Sequence, residues 1–284
     1  MLEGYGQYEP ECKKDMKIVS FNINGLRARL HQLQATIEKH DPDIIGLQEI
    51  KVHDEAFPIE DIKRMGYHAY SFGQKAHYGV ALLSKKPARY MAKGLPTDTQ
   101  RQQSRIIVGT FESKGKKLTV LNGYFPQGGN INHETKFPYK RQFYLDLSSY
   151  LSQFHSNTED LIVMGDINIS PLEIDIGIGE KGRERWLKAG KCSFQTEERA
   201  WLSNLMNWGL LDTYRIINPL TVGRYSWFDY RSHGFKRNEG LRIDVILATP
   251  PLAERCMASD IDYELRDLDK PSDHAPIWST FDYK

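Results

Sequence analysis

Residues 161–171 read LIVMGDINISP, and the fold turns on this stretch. Leu161 to Met164 form the unbroken apolar run of a strand buried on both faces. Asp166 and Asn168 follow two residues apart, and side chains two apart on a strand share a face. A carboxylate and an amide therefore point the same way from the end of a buried strand. A charge there is costly unless it meets a metal, a cation or water.

The same order, apolar residues and then polar ones, recurs along the chain. KIVSFNINGL (17–26) sets Ser20, Asn22 and Asn24 on one face and Val19, Phe21 and Ile23 on the other. PDIIGLQEIK (42–51) runs through Ile45 and Leu47 to Glu49, and KLTVLNGYFPQGG (117–129) through Leu118, Val120 and Asn122 to Tyr124. LRIDVILATP (241–250) sets Asp244 inside an otherwise apolar strand, and KPSDHAPIWSTF (270–281) puts Asp273 and His274 just ahead of a last strand. Alternation and β-branched content favour strands in all of them.

Helical spacing lies between, in LHQLQATIEKHD (30–41), YKRQFYLDLSSYLSQFH (139–155) and RAWLSNLMNWGLLD (199–212). No repeat period and no low-complexity linker divides the chain, which argues for a single αβ domain over residues 16–284.

At 284 residues, 40% hydrophobic and 26% charged, the chain has the make-up of a soluble globular protein able to bury a sizeable core. No apolar run approaches the ~20 residues of a membrane span. MLEGYGQYEPECKKD (1–15) lacks the basic-then-apolar order of a signal peptide. It reads as a polar tail or cloning remnant, with Met16 a candidate start and the cytoplasm the expected compartment. Cys12, Cys192 and Cys256 are odd in number and widely spaced, suggesting neither a disulfide framework nor a zinc site. The net charge of +1 leaves any phosphate-binding surface to a local patch.

Polar strand ends gathered at one rim make a site, because loops on a rigid sheet carry function. The rim holds Asn22, Glu49, Tyr124, Asp166, Asn168, Asp244, Asp273 and His274. Hard oxygen donors suit Mg²⁺, Mn²⁺ or Ca²⁺, and metal-assisted attack on a phosphate is the natural chemistry. Any one of these residues alone reads best as a capped turn or a salt bridge; the set does not.

SFNINGLRAR, LQEIK, NGYFPQG, GDINISP, RYSWFDYR, GLRIDVILA and PSDHAP together resemble the exonuclease III family of abasic-site endonucleases, within the endonuclease/exonuclease/phosphatase superfamily. The likeness runs in order from about Met16 to Phe281. It implies a DNase I-like four-layer α/β sandwich: two packed mixed β-sheets flanked by helices. It also implies a monomeric Mg²⁺ enzyme, with Mn²⁺ able to substitute. The expected activities are cutting of duplex DNA 5′ to abasic sites, 3′-to-5′ exonuclease action, removal of 3′-phosphates and blocking groups, and degradation of RNA in RNA–DNA hybrids.

By position, the resemblance makes Glu49 the main metal ligand and Asn22 part of the metal shell. Asp166 orients or deprotonates the water, and Asn168 and His274 donate to the phosphate oxygens. Asp273 holds the His274 tautomer, Tyr124 contacts the phosphate or leaving oxygen, and Asp244 helps protonate the leaving group or positions its neighbours. The general base is open between Asp166, a Tyr124 phenolate and the Asp273–His274 pair. A second metal would fall near Asp166, Asn168 and Asp273. Ile50 and Ile167 depart from the usual family residues but are not functional positions.

Trp227, Phe228 and Leu241 match the family's apolar pocket for an extruded sugar; read without the family they are core residues. Extrusion is cheapest where a base is missing. Arg105, Gln127, Lys136 and the cations of RSHGFKR (231–237) are candidate phosphate contacts, though a lone cation is more often solvated surface. His31, His53, His77 and His233 carry no partner pattern. Trp186, Trp201 and Trp208 sit at helical spacing and read as core. GIGEKG (177–182) fits a dinucleotide fingerprint, but Pro171 and LEID part it from the preceding strand, so it reads as a turn. Rival readings are a small-molecule or lipid phosphoesterase and a catalytically silent binding module on the same fold.

Overall fold

The computed structural model describes residues 15–98, 103–113 and 115–283. Cys12 and residues 1–14 of the expected tail lie outside the described residues.

The first strands are β1 (Met16–Asn22), β2 (Ile44–Gln48), β3 (His68–Phe72), β4 (Val80–Ser84), β5 (Tyr90–Lys93) and β6 (Ile106–Ser113). Then come β7 (Lys116–Tyr124), β8 (Leu161–Asp166), β9 (Leu211–Asp212), β10 (Asp244–Ala248), β11 (Cys256–Ile261) and β12 (Ile277–Phe281). They form two six-stranded sheets, ordered β11-β12-β1-β2-β4-β3 and β5-β6-β7-β8-β10-β9. Each sheet is mixed: β1 and β2 run parallel, as do β7 and β8, while the other pairings are antiparallel.

Strand alternation builds the layers. Ile18 of β1 faces Ile162 and Met164 of β8 in the core between the sheets. Val19 and Phe21, one step along, face outward with Leu33 and Ile62 of the helices α1 (Leu30–His40) and α2 (Ile59–Arg64). On the far side, Leu121 and Val163 pack under α3 (Lys136–Phe154) and, past the short α4 (Glu180–Lys188), α5 (Thr196–Trp208). This is the four-layer sandwich expected. No helix among the described residues is long and apolar enough to cross a membrane.

The sheets pack closely at Gly46, where an added Cβ would stand 2.5 Å from Met164 Cε and 2.6 Å from Asn122 Oδ1. Beside it a buried polar bridge spans the two sheets. Gln48 Nε2 donates to Asn122 Oδ1 (2.6 Å) and Ser20 Oγ (3.0 Å), and Asn122 Nδ2 donates to the Leu47 and Ala81 carbonyls. In a low-dielectric interior such a network fixes spacing as well as adding cohesion. It sets how far Glu49, just past β2, stands from Asp166 at the end of β8.

Three sequence expectations need correcting here. Asp244 is the first residue of β10 and not an interior one. Asn24 and Asn168 lie beyond their strands in left-handed backbone (φ 47 and 53), which asparagine tolerates. Residues 177–182 are more than a turn, since α4 opens at Glu180; no strand runs into them, because β8 ends at Asp166.

Candidate active site

Parallel β1–β2 and β7–β8 end at the same rim, and antiparallel β10 begins there. Register places Tyr124 beside Asp166, and Asp166 beside Asp244. Asn22 and Glu49 arrive from the other sheet. The result is a cavity of about 370 Å³ lined by Glu49, Tyr124, Asp166, Asn168, Asp273 and His274, with Trp227 and Leu241 as an apolar wall.

Asn22 is fully buried and bridges the sheets. Its Nδ2 donates to Asp166 Oδ2 (2.9 Å) and Glu49 Oε1 (3.1 Å), while its Oδ1 accepts from the Asn24 amide. Asn22 thus orients the two carboxylates, as expected of a residue that helps shape the metal shell. Glu49 sits in left-handed backbone (φ 49), and its Oε2 meets Lys51 Nζ at 2.9 Å. Asp166 Oδ1 accepts from the Asn168 amide (3.0 Å), and Asn168 Nδ2 donates to the Phe125 carbonyl (2.9 Å).

His274 is paired differently from the expectation. Its Nδ1 lies 2.8 Å from Asp244 Oδ2 and its Nε2 3.7 Å from Asp166 Oδ2. Asp273 instead accepts from Asn24 Nδ2 (2.8 Å) and Trp227 Nε1 (3.1 Å). Both residues line the cavity, but they take different partners. The dyad is Asp244–His274.

Burial lowers the His274 imidazole, but Asp244 and then Asp166 outweigh it and raise its pKa to about 10. The Asp166 carboxyl is pushed up to about 8 by burial, with His274 opposing and Asp244 and Glu49 reinforcing. Burial would raise Asp273, yet the His274 charge and the bonds from Asn24 and Trp227 hold it below the usual carboxylate range. Burial, Glu49 and Asp166 together push the Tyr124 phenol well above its ordinary value, against Arg105. The site thus opposes a phenolate at Tyr124.

Glu49, Asp166 and His274 each present a ligand atom, all within 4.8 Å of one another. Crowded carboxylates with one pKa driven up are what a site short of positive charge looks like. Two carboxylates fit a hard cation, and His274, held as an imidazolium by Asp244, is left as a donor. Asp273 also lines the cavity, with one of its oxygens accepting from Asn24 and the other from Trp227.

The apolar wall also departs from expectation. Trp227 and Leu241 exchange backbone hydrogen bonds at 2.9 Å and face the cavity. Phe228 does not reach it: fully buried, it packs edge-on against Phe235 (5.0 Å) and Tyr263 (5.7 Å), as a core residue. Arg105 is only 6% exposed, its guanidinium stacked on Tyr78 (4.2 Å) and Tyr124 (4.9 Å), so it backs Tyr124 and is no free surface cation. Gln127 lines the cavity, and Lys136 stands exposed at the start of α3. Arg231, Lys236 and Arg237 are exposed, with Arg237 paired to Glu239.

Sequence reasoning missed Lys51, whose only signal was its place two residues after Glu49. It also misread Trp186, which lines the cavity with Lys191 and Ser193, the Lys191 ammonium lying 4.7 Å over the indole. Trp201 is core as expected, and Trp208 packs against the core.

The chain is similar to known proteins in sequence and in fold. The profile of the Endonuclease/Exonuclease/phosphatase family matches residues 19–274. The chain is 56% identical over 266 residues to Exodeoxyribonuclease III of Haemophilus influenzae, covering 94% of this chain and 100% of that one. A 3′ phosphatase from Neisseria, solved bound to a product DNA hairpin, is similar with a TM-score of 0.86 at 35% identity, covering 94% of this chain and 100% of that one. An AP endonuclease from Archaeoglobus fulgidus shows a TM-score of 0.86, 35% identity and the same coverage.

Proposed function

The chain belongs to the exonuclease III branch of the endonuclease/exonuclease/phosphatase family and is a phosphodiester hydrolase; we propose that it is a Mg²⁺-dependent DNA-repair nuclease. It would hydrolyse the phosphodiester 5′ to an abasic site in duplex DNA and act on 3′ ends as a 3′-to-5′ exonuclease, 3′-phosphatase and 3′-phosphodiesterase. We read it as a cytoplasmic monomer. The observation that carries this is the apolar Trp227–Leu241 wall set against the Glu49–Asp166–His274 cluster in one cavity. A bare sugar and a phosphate need those two surfaces side by side.

Glu49 and Asp166 would hold the cation, with Asn22 fixing the angle between them. When bound, the cation polarises a phosphoryl oxygen and offsets the charge that develops on it. Asp166 is our choice of general base. Its carboxylate stands in the cavity between Asn22, the Asn168 amide and His274, whereas Tyr124 holds its proton and His274 is already charged. The His274 imidazolium donates to the phosphoryl oxygens as negative charge builds, and Asp244 keeps it charged and oriented. Asn168 has a second amide hydrogen for the same oxygens, and Tyr124 can donate to the leaving oxygen.

The test is a side-by-side assay on an abasic duplex, a recessed 3′ end and a 3′-phosphate, with Mg²⁺ and with EDTA. Metal-dependent cleavage of all three is expected. No incision of the abasic duplex, with phosphate released from small esters, would replace this reading by the small-molecule phosphoesterase.

A further inference from the structure

Beneath the cavity floor lies a charge that none of the roles above uses. Lys140, one turn into α3, is fully buried. Its Nζ donates to the Asn168 carbonyl (2.9 Å), the Gln127 carbonyl (3.3 Å) and Glu198 Oε1 (2.6 Å). Three N–H groups thus meet three acceptors, the full capacity of an ammonium. Glu198, equally buried in the first turn of α5, accepts with Oε2 from the Ser193 amide (2.7 Å) and the Gln195 amide (2.8 Å). The Ser193 carbonyl in turn accepts from the Ser170 amide (2.6 Å).

Gln127, Asn168 and Ser193 all line the cavity, and they come from three separate loops. We infer that Lys140 is a positioning residue of this active site: its buried ammonium, anchored by Glu198, clamps those three loops together and so aims the Asn168 amide at the substrate phosphate. This rests on the nuclease reading and deepens it.

A buried ion pair is a poor source of stability compared with well-packed apolar residues, so its presence needs another reason. Two of the three acceptors are backbone carbonyls of cavity-lining residues, which is not what a pair serving only to join α3 and α5 would require. Asn168 and Ser193 both have left-handed backbone (φ 53 and 109), a conformation that persists where surroundings over-determine it. At Asn168 the amide is held by Asp166, the side chain by Phe125 and the carbonyl by Lys140. Removing Lys140 releases the one tie that comes from below. The loop at Gly128 (φ 88) also rests on the lysine stem, where an added Cβ would stand 3.0 Å from Lys140 Cδ.

The test compares wild type, Lys140→Met/Glu198→Gln and a control, Leu33→Ala, which opens the apolar layer on the other sheet. The double variant removes both charges and leaves an amide oxygen to cap Ser193 and Gln195. We expect cooperative unfolding, KM within about threefold, and kcat lowered by about 10–100-fold, the scale of a slight misplacement of a reacting group. Amide hydrogen exchange should quicken in residues 166–171 and 191–195 and stay unchanged in β1 and β2. A kcat within twofold of wild type, or an equal loss in Leu33→Ala, overturns the inference, as does unaltered exchange in the two loops. If the double variant does not fold, Lys140→Arg decides. It keeps the charge against Glu198 but is planar, and wild-type kcat in it would also overturn the clamp. A wild type inactive on every DNA substrate would instead sink the nuclease reading, while the exchange comparison would still judge the clamp.

Discussion

His274 Nδ1 stands 2.8 Å from Asp244 Oδ2, whereas Asp273, its neighbour in sequence, accepts from Trp227 and Asn24. The charge on the imidazole is therefore set by a residue thirty positions away, brought back by β10. Asp273 serves the apolar wall instead, through the Trp227 indole.

The two carboxylates should separate cleanly on mutation. Asp244→Asn is expected to lower cleavage by about 10²-fold, near the ~10²–10³ expected for losing the His274 donor outright. It should also bring the His274 pKa down toward the ordinary ~6.5. Asp273→Asn should leave the His274 titration far higher. Histidine NMR signals followed against pH check this, and equal effects of the two substitutions would sink the Asp244 pairing. His274→Ala added to Asp244→Asn should cost little more than either alone, since the pair acts as one unit.

Metal binding should be coupled to protons. Both Asp166 and His274 have raised pKa values in the fold, to about 8 and about 10. The stability they lend is complete only below their unfolded values, and it is lost as pH rises through those raised ones. The metal-free protein should accordingly become less stable between about pH 4 and pH 10. A cation takes the place of the proton on Asp166. Its affinity should rise by up to about tenfold per pH unit from pH 6 to 8, with proton release, and flatten above. Calorimetry with Mg²⁺ or Ca²⁺ in two buffers of different ionisation enthalpy measures this directly. Glu49→Gln should weaken binding at every pH without unfolding the protein. Affinity that is flat with pH would mean that Asp166 does not hold the metal.

Trp227 has two jobs, and two substitutions divide them. Trp227→Ala removes the wall and the N–H to Asp273, and Trp227→Phe removes the N–H but keeps a smaller aromatic ring in the wall. Abasic-site cleavage should fall by roughly 1–3 kcal/mol of binding in the alanine variant, on the scale of one aromatic against nucleic acid. Release of a 3′-phosphate should suffer much less. The phenylalanine variant should recover most of the loss. Equal losses on both substrates in the alanine variant, at unchanged thermal stability, would remove Trp227 from the sugar pocket.

Much of this site was legible because strand-end chemistry is local. LIVMGD had to be a doubly buried strand, and Asp166 had to emerge at its end. Asn22, Glu49 and Tyr124 followed by the same rule, so the rim could be read before any coordinates. Pairing across the rim was not legible. Asp244, at the start of β10, meets His274, just ahead of β12 in the other sheet, a pairing that no local pattern in LRIDVILA encodes. Neither was side-chain depth, which separates Trp227 at the cavity from Phe228 in the core although both are aromatic and adjacent. Trp186 failed for the same reason: helical spacing shows that a face is apolar, not whether its edge opens on a cavity.

Electrostatic contact with DNA should come from exposed cations. In Ca²⁺, Lys136→Ala should reduce the slope of log K against log salt by roughly 0.9 if it meets one phosphate. Arg105→Ala should change the slope by much less, because the guanidinium is stacked behind Tyr124, and should lower kcat through Tyr124 instead. A full unit lost from the slope at Arg105 would show that it reaches a phosphate despite its burial.

Phe228 gives the sharpest test of depth. It is fully buried, with Tyr225, Phe235 and Tyr263 edge-on around it and the Arg266 guanidinium 5.7 Å over its ring. Truncating such a side chain leaves a void that a packed interior closes only in part, so Phe228→Ala should cost about 3–5 kcal/mol of stability. Its backbone amide also holds the Asp273 carbonyl at 2.9 Å, so some loosening of the wall should follow. Cleavage per folded molecule, measured well below the melting transition, should still fall less than in Trp227→Ala. Denaturant unfolding and abasic-site kinetics on the same preparation decide it. A variant of native stability with abasic cleavage lost would put Phe228 back in the sugar pocket.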